Sequence, residues 1–125
     1  MHFKSKGTLR YSTGSSYWIL IDCDPEIGKY YRKLYNSYYY DCNKIIKPSW
    51  AEHITVVRNE EPIDKLPWGC YNGYEVEFEY ENIIKDNGEF YWLDVRCDFL
   101  YQIRMELGLN KNPEYPFHLT IGNKD

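Results

Sequence analysis

Two short motifs of the same residue types stand 65 positions apart in this chain. The first is HITV at residues 53–56 and the second is HLTI at residues 118–121. Each motif offers an imidazole and, two places later, a hydroxyl. An imidazole changes charge near neutral pH, and a hydroxyl can hydrogen-bond an anionic oxygen. One such pattern arises easily by chance, but two in matching surroundings predict a single site built from both.

Two histidines that face one phosphate have a well-defined chemistry. A neutral imidazole accepts the proton of the nucleophile while a protonated one donates to the leaving oxygen, which contributes about 10²–10⁴-fold in rate. The threonine hydroxyls would bind the non-bridging oxygens and stabilise charge that develops there. We therefore predict His53, Thr55, His118 and Thr120 as the catalytic residues. This chemistry requires no metal, so we expect no metal site and no cofactor.

The cysteines lack the spacing of a metal site. Cys23, Cys42, Cys70 and Cys97 are far apart, with no C-x-x-C pair and no histidine at zinc-ligand spacing. We expect free thiols in a reducing compartment, used as small buried apolar groups.

Strands and two helices must position the motifs. Strands are predicted at Tyr17–Cys23, His53–Arg58, Tyr74–Tyr80, Phe90–Cys97 and Phe117–Gly122, with a further short strand near Thr8–Tyr11. One helix is expected to begin with Asp24 as N-cap and Pro25 in its first turn, and the other with Asp98 as cap and Gly108 as the C-terminal stop. The DNG triplet at residues 86–88 predicts a hairpin turn. The order is β-α-β followed by β-β-α-β.

The segments before the two motifs also match each other. WILIDCD at residues 18–24 aligns without gaps with WLDVRCD at residues 92–98. In both copies a strand ends in Cys, an Asp follows, and the next strand of that half carries H-x-T. If two such units pack about a pseudo-two-fold axis, the motif strands become neighbours or face one another across a groove. The matched tryptophans, Trp18 and Trp92, favour core packing over ligand contact.

The length predicts one domain, residues 1–125, with halves of roughly 1–66 and 67–125. Hydrophobic residues at 43% and charged residues at 27% are typical of a soluble globular protein. No apolar run approaches a bilayer span and the N-terminus lacks a secretory signal, so we expect a cytoplasmic protein without a membrane partner.

Strand alternation predicts which side chains share the motif face. Val57 is expected on the face of the first motif's His and Thr, and Arg58 on the opposite face in a structural or loop-anchoring role. In the second copy Gly122 is expected beside the motif His and Thr, leaving room for a ligand or another backbone.

The net charge of −4 argues against a long nucleic acid as partner. Proteins that bind long RNA or DNA usually carry a basic face, because their affinity comes largely from release of counterions from many phosphates. The acidic balance therefore favours a short ligand with few phosphates, or with none.

HITV and HLTI resemble the motifs of the 2H phosphoesterases, a superfamily with two H-x-[TS]-hydrophobic motifs. They match at all defining positions, and the two halves cover most of the chain. The resemblance implies an α+β, bilobal fold of two pseudo-two-fold-related β-α-β halves with antiparallel sheets around a central cavity. It also implies that the histidines are the acid-base pair and that the threonines bind phosphate. Family substrates are 2′,3′-cyclic phosphates, 2′,5′-linked or cyclic nucleotides, and RNA ends.

Three stretches are most similar to the small phage and bacterial branch of that superfamily: SWAEHITVVRNEEP (49–62), GYEVEFEY (73–80) and FHLTIGN (117–123). That branch includes phage anti-CBASS nucleases, which degrade cyclic oligonucleotide alarm signals of bacteria. The resemblance implies a metal-independent hydrolase that cleaves the 3′,5′-phosphodiester bonds of a cyclic di- or trinucleotide. It would act in the host cytoplasm if the chain is phage-encoded.

Two alternatives stay open. The chain could process short RNA-like phosphodiesters with 2′,3′-cyclic ends or 2′,5′ linkages, or it could be a non-catalytic sponge that sequesters a nucleotide. The matched histidines speak against a sponge, because binding alone does not need an acid and a base.

Residues outside the motifs carry weaker predictions. Tyr11 and Trp68 are predicted to bind substrate by stacking on a base, with packing under a loop as the alternative. Cover for the site is expected from the loops around Trp50 and Trp68, from the N-terminal segment, or from another subunit, so an oligomer stays open.

Overall fold

The computed structural model describes residues 2–38 and 44–124, and the prediction for Cys42 lies outside these ranges. Strands and helices follow in the order β1 His2–Tyr11, β2 Trp18–Cys23, α1 Pro25–Tyr38, β3 Ile45–Ile46, β4 His53–Arg58, β5 Glu75–Glu81, β6 Lys85–Asp86, β7 Phe90–Arg96, α2 Asp98–Glu106 and β8 His118–Lys124. The predicted α+β class is confirmed. Alternation did not predict β3 and β6, because a strand of two residues shows no period.

The strands form one antiparallel sheet in the order β3-β8-β4-β2-β1-β5-β7-β6. Because β8 also pairs with β7, six of these strands close into a barrel. Three pairings join the halves directly: β1 with β5, where Gly7 lies opposite Val76, β4 with β8, where Ile54 lies opposite Leu119, and β3 with β8, where Ile46 lies opposite Asn123. The two motif strands are therefore neighbours.

Both helices begin where the chain leaves a strand. The Asp24 side chain accepts a 2.9 Å hydrogen bond from the Glu26 amide, which confirms Asp24 as the N-cap of α1. The predicted cap of α2 is wrong by one residue. Cys97 is the N-cap, with extended backbone and no side-chain cap bond, and Asp98 is the first helical residue. Gly108 has φ of 74° after the end of α2, as predicted for a helix stop.

The helices cover one face of the sheet, which we call the apolar face. Leu100 and Ile103 of α2 and its C-cap residue Leu107 are buried in a cluster with apolar residues of β1, β2, β4 and β5. Tyr31 of α1 is buried in a second cluster with residues of β3, β7 and β8. In residues 2–38 and 44–124 no helix has the length and apolar character needed to cross a membrane.

The described cysteines are free thiols. Cys97 is buried and Cys23 is partly buried, and burial raises the pKa of the Cys23 thiol to about 12. Cys70 is exposed, so the predicted burial is wrong for this residue, which lies in the turn-rich loop before β5.

A matching irregularity follows each motif. On β4, Thr55 and Val57 have partners on β2 but Val56 between them has none. On β8, Thr120 and Gly122 have partners on β7 but Ile121 has none. Each motif strand therefore carries a β-bulge at the residue directly after its threonine, and the carbonyl of a bulged residue is left outside the regular ladder.

An arginine from the other half binds the carbonyl of each bulged residue. Arg104 of α2 donates a 3.0 Å hydrogen bond to the carbonyl of Val56, and Arg32 of α1 donates a 2.8 Å bond to the carbonyl of Ile121. Glu60 pairs with Arg104 through two hydrogen bonds of 2.8 Å, and Glu52 pairs with Arg32 at 3.0 Å. The helix of each half thus supports the motif strand of the other.

The environment of Arg104 predicts a large loss of stability when its charge is removed. We expect Arg104→Met to lower the free energy of unfolding by about 3 kcal/mol, because buried carbonyl oxygens and Glu60 would lose their donor. Urea unfolding at pH 7 measures this. Arg10→Met is the control, since Arg10 makes an exposed ion pair with Asp22, and its loss should cost less than about 1 kcal/mol. Equal effects of the two substitutions would contradict the prediction.

The same ion pair predicts a pH dependence of stability. The hydrogen bonds from Arg104 lower the pKa of Glu60 below its usual 4.5. A carboxyl whose pKa is lower in the folded state stabilises above its unfolded pKa, and this contribution is lost as pH falls through the folded pKa. Urea unfolding from pH 7 to pH 3 should therefore show the advantage of the wild type over Glu60→Gln shrinking below about pH 4.5. A difference in free energy of unfolding between the two proteins that stays constant or widens in acid would contradict this. An equal shrinkage of that difference when both proteins also carry Arg104→Met would contradict it as well.

Candidate active site

The pairing of β4 with β8 brings the four predicted catalytic residues together. Ile54 and Leu119 face each other across the strands and are fully buried on the apolar face. Because side chains alternate, the neighbours of both residues lie on the opposite face, which we call the polar face. The register places His53 opposite Thr120 and Thr55 opposite His118. In a regular antiparallel ladder, residues that are diagonal in this way lie about 7–8 Å apart, with their Cβ atoms somewhat closer.

The two imidazoles are held in the same way. Nδ1 of His53 lies 2.7 Å from the carbonyl oxygen of Ala51, and Nδ1 of His118 lies 2.7 Å from the carbonyl oxygen of Pro116. A carbonyl only accepts, so Nδ1 carries the hydrogen in both rings. Nε2 is then the nitrogen left to exchange a proton with a substrate.

The bulges overturn the predicted positions of three residues that follow the threonines. Val57 is fully buried and pairs with a residue of the apolar face, so it does not share the face of His53. Arg58 is exposed and returns to the polar face, opposite to the prediction. Gly122 lies on the apolar face, where an added Cβ would fall 2.1 Å from a methyl of Ile45 and 2.5 Å from the carbonyl oxygen of residue 46. Because Gly122 has no side chain, β3 can pack closely against it, and the space does not serve a ligand on the polar face.

Two carboxylates flank the motifs and were not predicted. Asp22 of β2 lies opposite His53, and Asp94 of β7 lies opposite His118. Arg10 donates two hydrogen bonds to Asp22, of 2.8 and 3.0 Å, and Lys85 donates to Asp94. Each cation is therefore paired with the carboxylate that lies opposite a motif histidine, and this pairing raises the pKa of the cation.

Trp92 is a further missed residue. Its ring centroid lies 6.1 Å from that of His118, and its Nε1 donates a 3.2 Å hydrogen bond to Asp94. Trp92 is only partly buried, so the predicted core role is wrong for this residue.

The gapless alignment of the two halves did not match Asp22 with Asp94, so these residues were not predicted from it. Thr55 pairs with Leu20 and Thr120 pairs with Trp92, so Leu20, not Trp18, occupies the position that corresponds to Trp92. The structural correspondence is shifted by two residues from the alignment. With that shift Asp22 corresponds to Asp94, and a polar residue at the same place in two otherwise apolar strands is the signal that could have found both.

The two predicted stacking residues lie elsewhere. Tyr11 is buried in the cluster under α2, and burial raises the pKa of its hydroxyl. Trp68 packs against the same cluster, 5.1 Å from the Tyr11 ring, and donates to the carbonyl of Ser12. Both rings have a packing role, and their contact with substrate stays a prediction.

A cavity of about 130 Å³ adjoins the first motif threonine. The segment before β8 and the end of β4 form its walls. Its lining residues are Thr55, Val56, Arg58, Glu60, Pro113, Glu114 and Tyr115. The guanidinium of Arg58 lies 5.5 Å from the ring centroid of Tyr115. Of the four catalytic candidates, Thr55 alone lines this cavity, which is not bounded by both motifs.

Within the described ranges no three His, Cys, Asp or Glu side chains are grouped so as to hold a metal ion, and the metal-free chemistry stays a prediction. Comparisons of the chain with protein-family models, with curated proteins and with solved structures give no match.

The hydrogen bonds that Nδ1 makes with backbone carbonyls predict the tautomer of both motif histidines. In their neutral forms His53 and His118 should carry the hydrogen on Nδ1, so that Nε2 shows the ¹⁵N chemical shift of an unprotonated nitrogen. Two-dimensional ¹⁵N–¹H spectra at alkaline pH measure this, with assignment from His53→Gln and His118→Gln. His2 at the start of β1 serves as an internal reference. Neutral rings protonated on Nε2 would contradict the proposed orientation.

Proposed function

We propose that this chain is a metal-independent phosphodiesterase of the 2H type that cleaves the 3′,5′-phosphodiester bonds of cyclic oligonucleotide signals. One observation carries the proposal. The two H-x-T motifs lie on adjacent antiparallel strands in reciprocal register about the Ile54–Leu119 pair, with Nε2 of both histidines left to exchange protons.

Correspondences between the halves support the bilobal arrangement that belongs to this proposal. The pairings of β1 with β5 and of β4 with β8 both join equivalent strands. The bulges at Val56 and Ile121 are equivalent, and so are the crossing arginines, Arg32 and Arg104. The pseudo-two-fold axis that the proposal requires would relate all of these features.

The proposed reaction uses the 2′-hydroxyl of the substrate as nucleophile. One histidine removes its proton through Nε2, and the oxygen attacks the adjacent phosphorus. As the bond from phosphorus to the 5′-oxygen breaks, the other histidine protonates that oxygen. The product carries a 2′,3′-cyclic phosphate, which water can open to a 3′-phosphate by the same acid-base pair. Thr55 and Thr120 donate hydrogen bonds to the non-bridging oxygens.

The charge of the chain and of the polar face supports a small cyclic substrate. The net charge of −4 disfavours a ligand with many phosphates. Two cations, Arg10 and Lys85, are nevertheless paired with the carboxylates opposite the motif histidines, one in each half. A cyclic di- or trinucleotide, with two or three phosphates, fits this balance. Degradation of such alarm signals in the host cytoplasm would serve a phage against anti-viral defence.

The RNA-processing alternative keeps the same site and changes the substrate. The matched motifs suit 2′,3′-cyclic ends and 2′,5′ linkages equally well, because both present one phosphorus to two imidazoles. A comparison of substrates therefore separates RNA processing from the cleavage of cyclic oligonucleotides. The sponge alternative fails to explain why both histidines have the same orientation.

The proposed machinery predicts severe effects of single substitutions. We expect His53→Ala and His118→Ala each to lower turnover of cyclic triadenylate by about 10²–10⁴-fold, since each removes the acid or the base. Thr55→Val should lower kcat by about 10²-fold through loss of a phosphate donor. His2→Ala is the matched control and should leave turnover unchanged. Activity should follow a bell-shaped pH profile and persist in EDTA.

A substrate panel decides between the alternatives. The wild type is incubated in metal-free buffer with each of cyclic triadenylate, cyclic diadenylate, linear 2′,5′-oligoadenylate and 2′,3′-cyclic AMP. Chromatography then compares how much product each substrate gives. Preferred cleavage of the 3′,5′-linked rings supports the proposal, and preferred cleavage of either of the last two supports RNA processing. Recovery of all four unchanged would contradict catalysis. Undiminished cleavage of a 2′-deoxy ring would exclude the internal nucleophile.

A further inference from the structure

The cavity beside Thr55 owes its charged wall to the bulge at Val56. Without the extra residue Arg58 would point to the apolar face, but with it Arg58 lies beside the cavity and against the Tyr115 ring. Tyr115 is 55% exposed and comes three residues before His118. The cavity therefore lies at the end of the motif array where Thr55 and His118 are opposite each other.

We propose that this cavity binds one nucleobase of the substrate, next to the scissile phosphate. The inference rests on the proposed function and assigns a specificity site to it. A volume of about 130 Å³ is well below the roughly 300–1,000 Å³ of pockets that enclose whole drug-sized ligands. A single base is a planar fragment of such a ligand, and its sugar and phosphate would extend over the neighbouring motif threonine.

The wall residues provide a stacking surface. The guanidinium of Arg58 over the Tyr115 ring fixes the orientation of both planar groups through a cation–π contact. Aromatic rings and arginine planes bind any base by its face. The base stacks on Tyr115 while Arg58 restricts the movement of that ring.

The carboxylates in the wall provide discrimination between bases. Both oxygens of Glu60 are engaged by Arg104, whereas the Glu114 side chain makes no hydrogen bond or ion pair with the described residues. An ionised carboxylate only accepts hydrogen bonds, so it favours a base edge with an exocyclic amino group. Adenine, cytosine and guanine have that group, whereas uracil lacks it and offers only an N3–H between two carbonyl oxygens that a carboxylate repels.

The described part of the second half has no arginine at the equivalent position. Arg58 pairs with Trp18 after the first bulge, and the residue in the same position after the second bulge is Asn123, which pairs with Phe90. The two halves are thus alike at the histidines and threonines and different beyond them. A base bound on the Arg58 side gives the substrate one preferred direction across the two imidazoles.

Binding measured without turnover tests the subsite. Calorimetry with the His53→Ala protein should show tighter binding of cyclic triadenylate than of cyclic triuridylate. Adding Tyr115→Ala should weaken binding of cyclic triadenylate about tenfold through loss of stacking. Adding Glu114→Gln should reduce the preference for adenylate over uridylate about tenfold, since an amide both donates and accepts.

Matched controls separate these effects from general loss of surface residues. Tyr30→Ala removes a ring of 54% exposure on α1, and Glu26→Gln neutralises a carboxylate on the same helix. Both should leave affinity and base preference unchanged. Three outcomes would each overturn the subsite. They are an unchanged affinity for cyclic triadenylate on adding Tyr115→Ala to the His53→Ala protein, an unchanged preference for adenylate on adding Glu114→Gln, and no binding of either cyclic trinucleotide by the His53→Ala protein. Failure of the wild type to cleave any phosphodiester would instead overturn the proposed function, because these binding measurements do not depend on turnover.

Discussion

Two arginines that cross between the halves of the chain constrain the arrangement of everything else. Arg104 is 1% exposed, and a buried guanidinium is tolerated only when its donors are satisfied. Its partners are the carbonyls of Val56 and Asn110 and the carboxylate of Glu60. Arg32 repeats the arrangement from α1 to β8. Each arginine needs an acceptor outside the strand ladder, and each bulge leaves one. Bulge and arginine therefore stabilise each other.

The bulges explain why each motif is four residues long. The apolar residue in its fourth position contributes a buried side chain to the core and a carbonyl to the crossing arginine. Up to the threonine, alternation keeps His and Thr on the polar face. After the bulge the phase changes, which takes Val57 and Gly122 into the apolar face and brings Arg58 beside the site. A single extra residue in each strand thus separates the residues that pack in the core from the histidines and threonines of the polar face.

Local patterns in the sequence were sufficient to predict much of the fold. The strand at residues 53–58 and the cap at Asp24 follow from alternation and from backbone hydrogen bonding, which act over a few residues. The neighbouring positions of the motif strands followed from the repeat. The bulges could not be predicted, because a count of alternating residues assumes that every residue has a partner. Asp22 and Asp94 were missed because the alignment weighted identical Trp and Cys residues, whereas pairing of strands sets the true correspondence.

The proposed reaction requires two similar imidazoles to behave differently. His53 and His118 have the same hydrogen bond to Nδ1, so that bond cannot make one a base and the other an acid. Their surroundings differ: the Asp22 carboxylate accepts hydrogen bonds from Arg10, whereas Asp94 is bound by Lys85 and by Trp92, whose ring also contacts His118. The cavity with Arg58 and Tyr115 also lies on one side only. A substrate placed in one direction by these unequal neighbours would present its nucleophile to one ring and its leaving oxygen to the other, so the division of roles arises from binding and not from the histidines themselves.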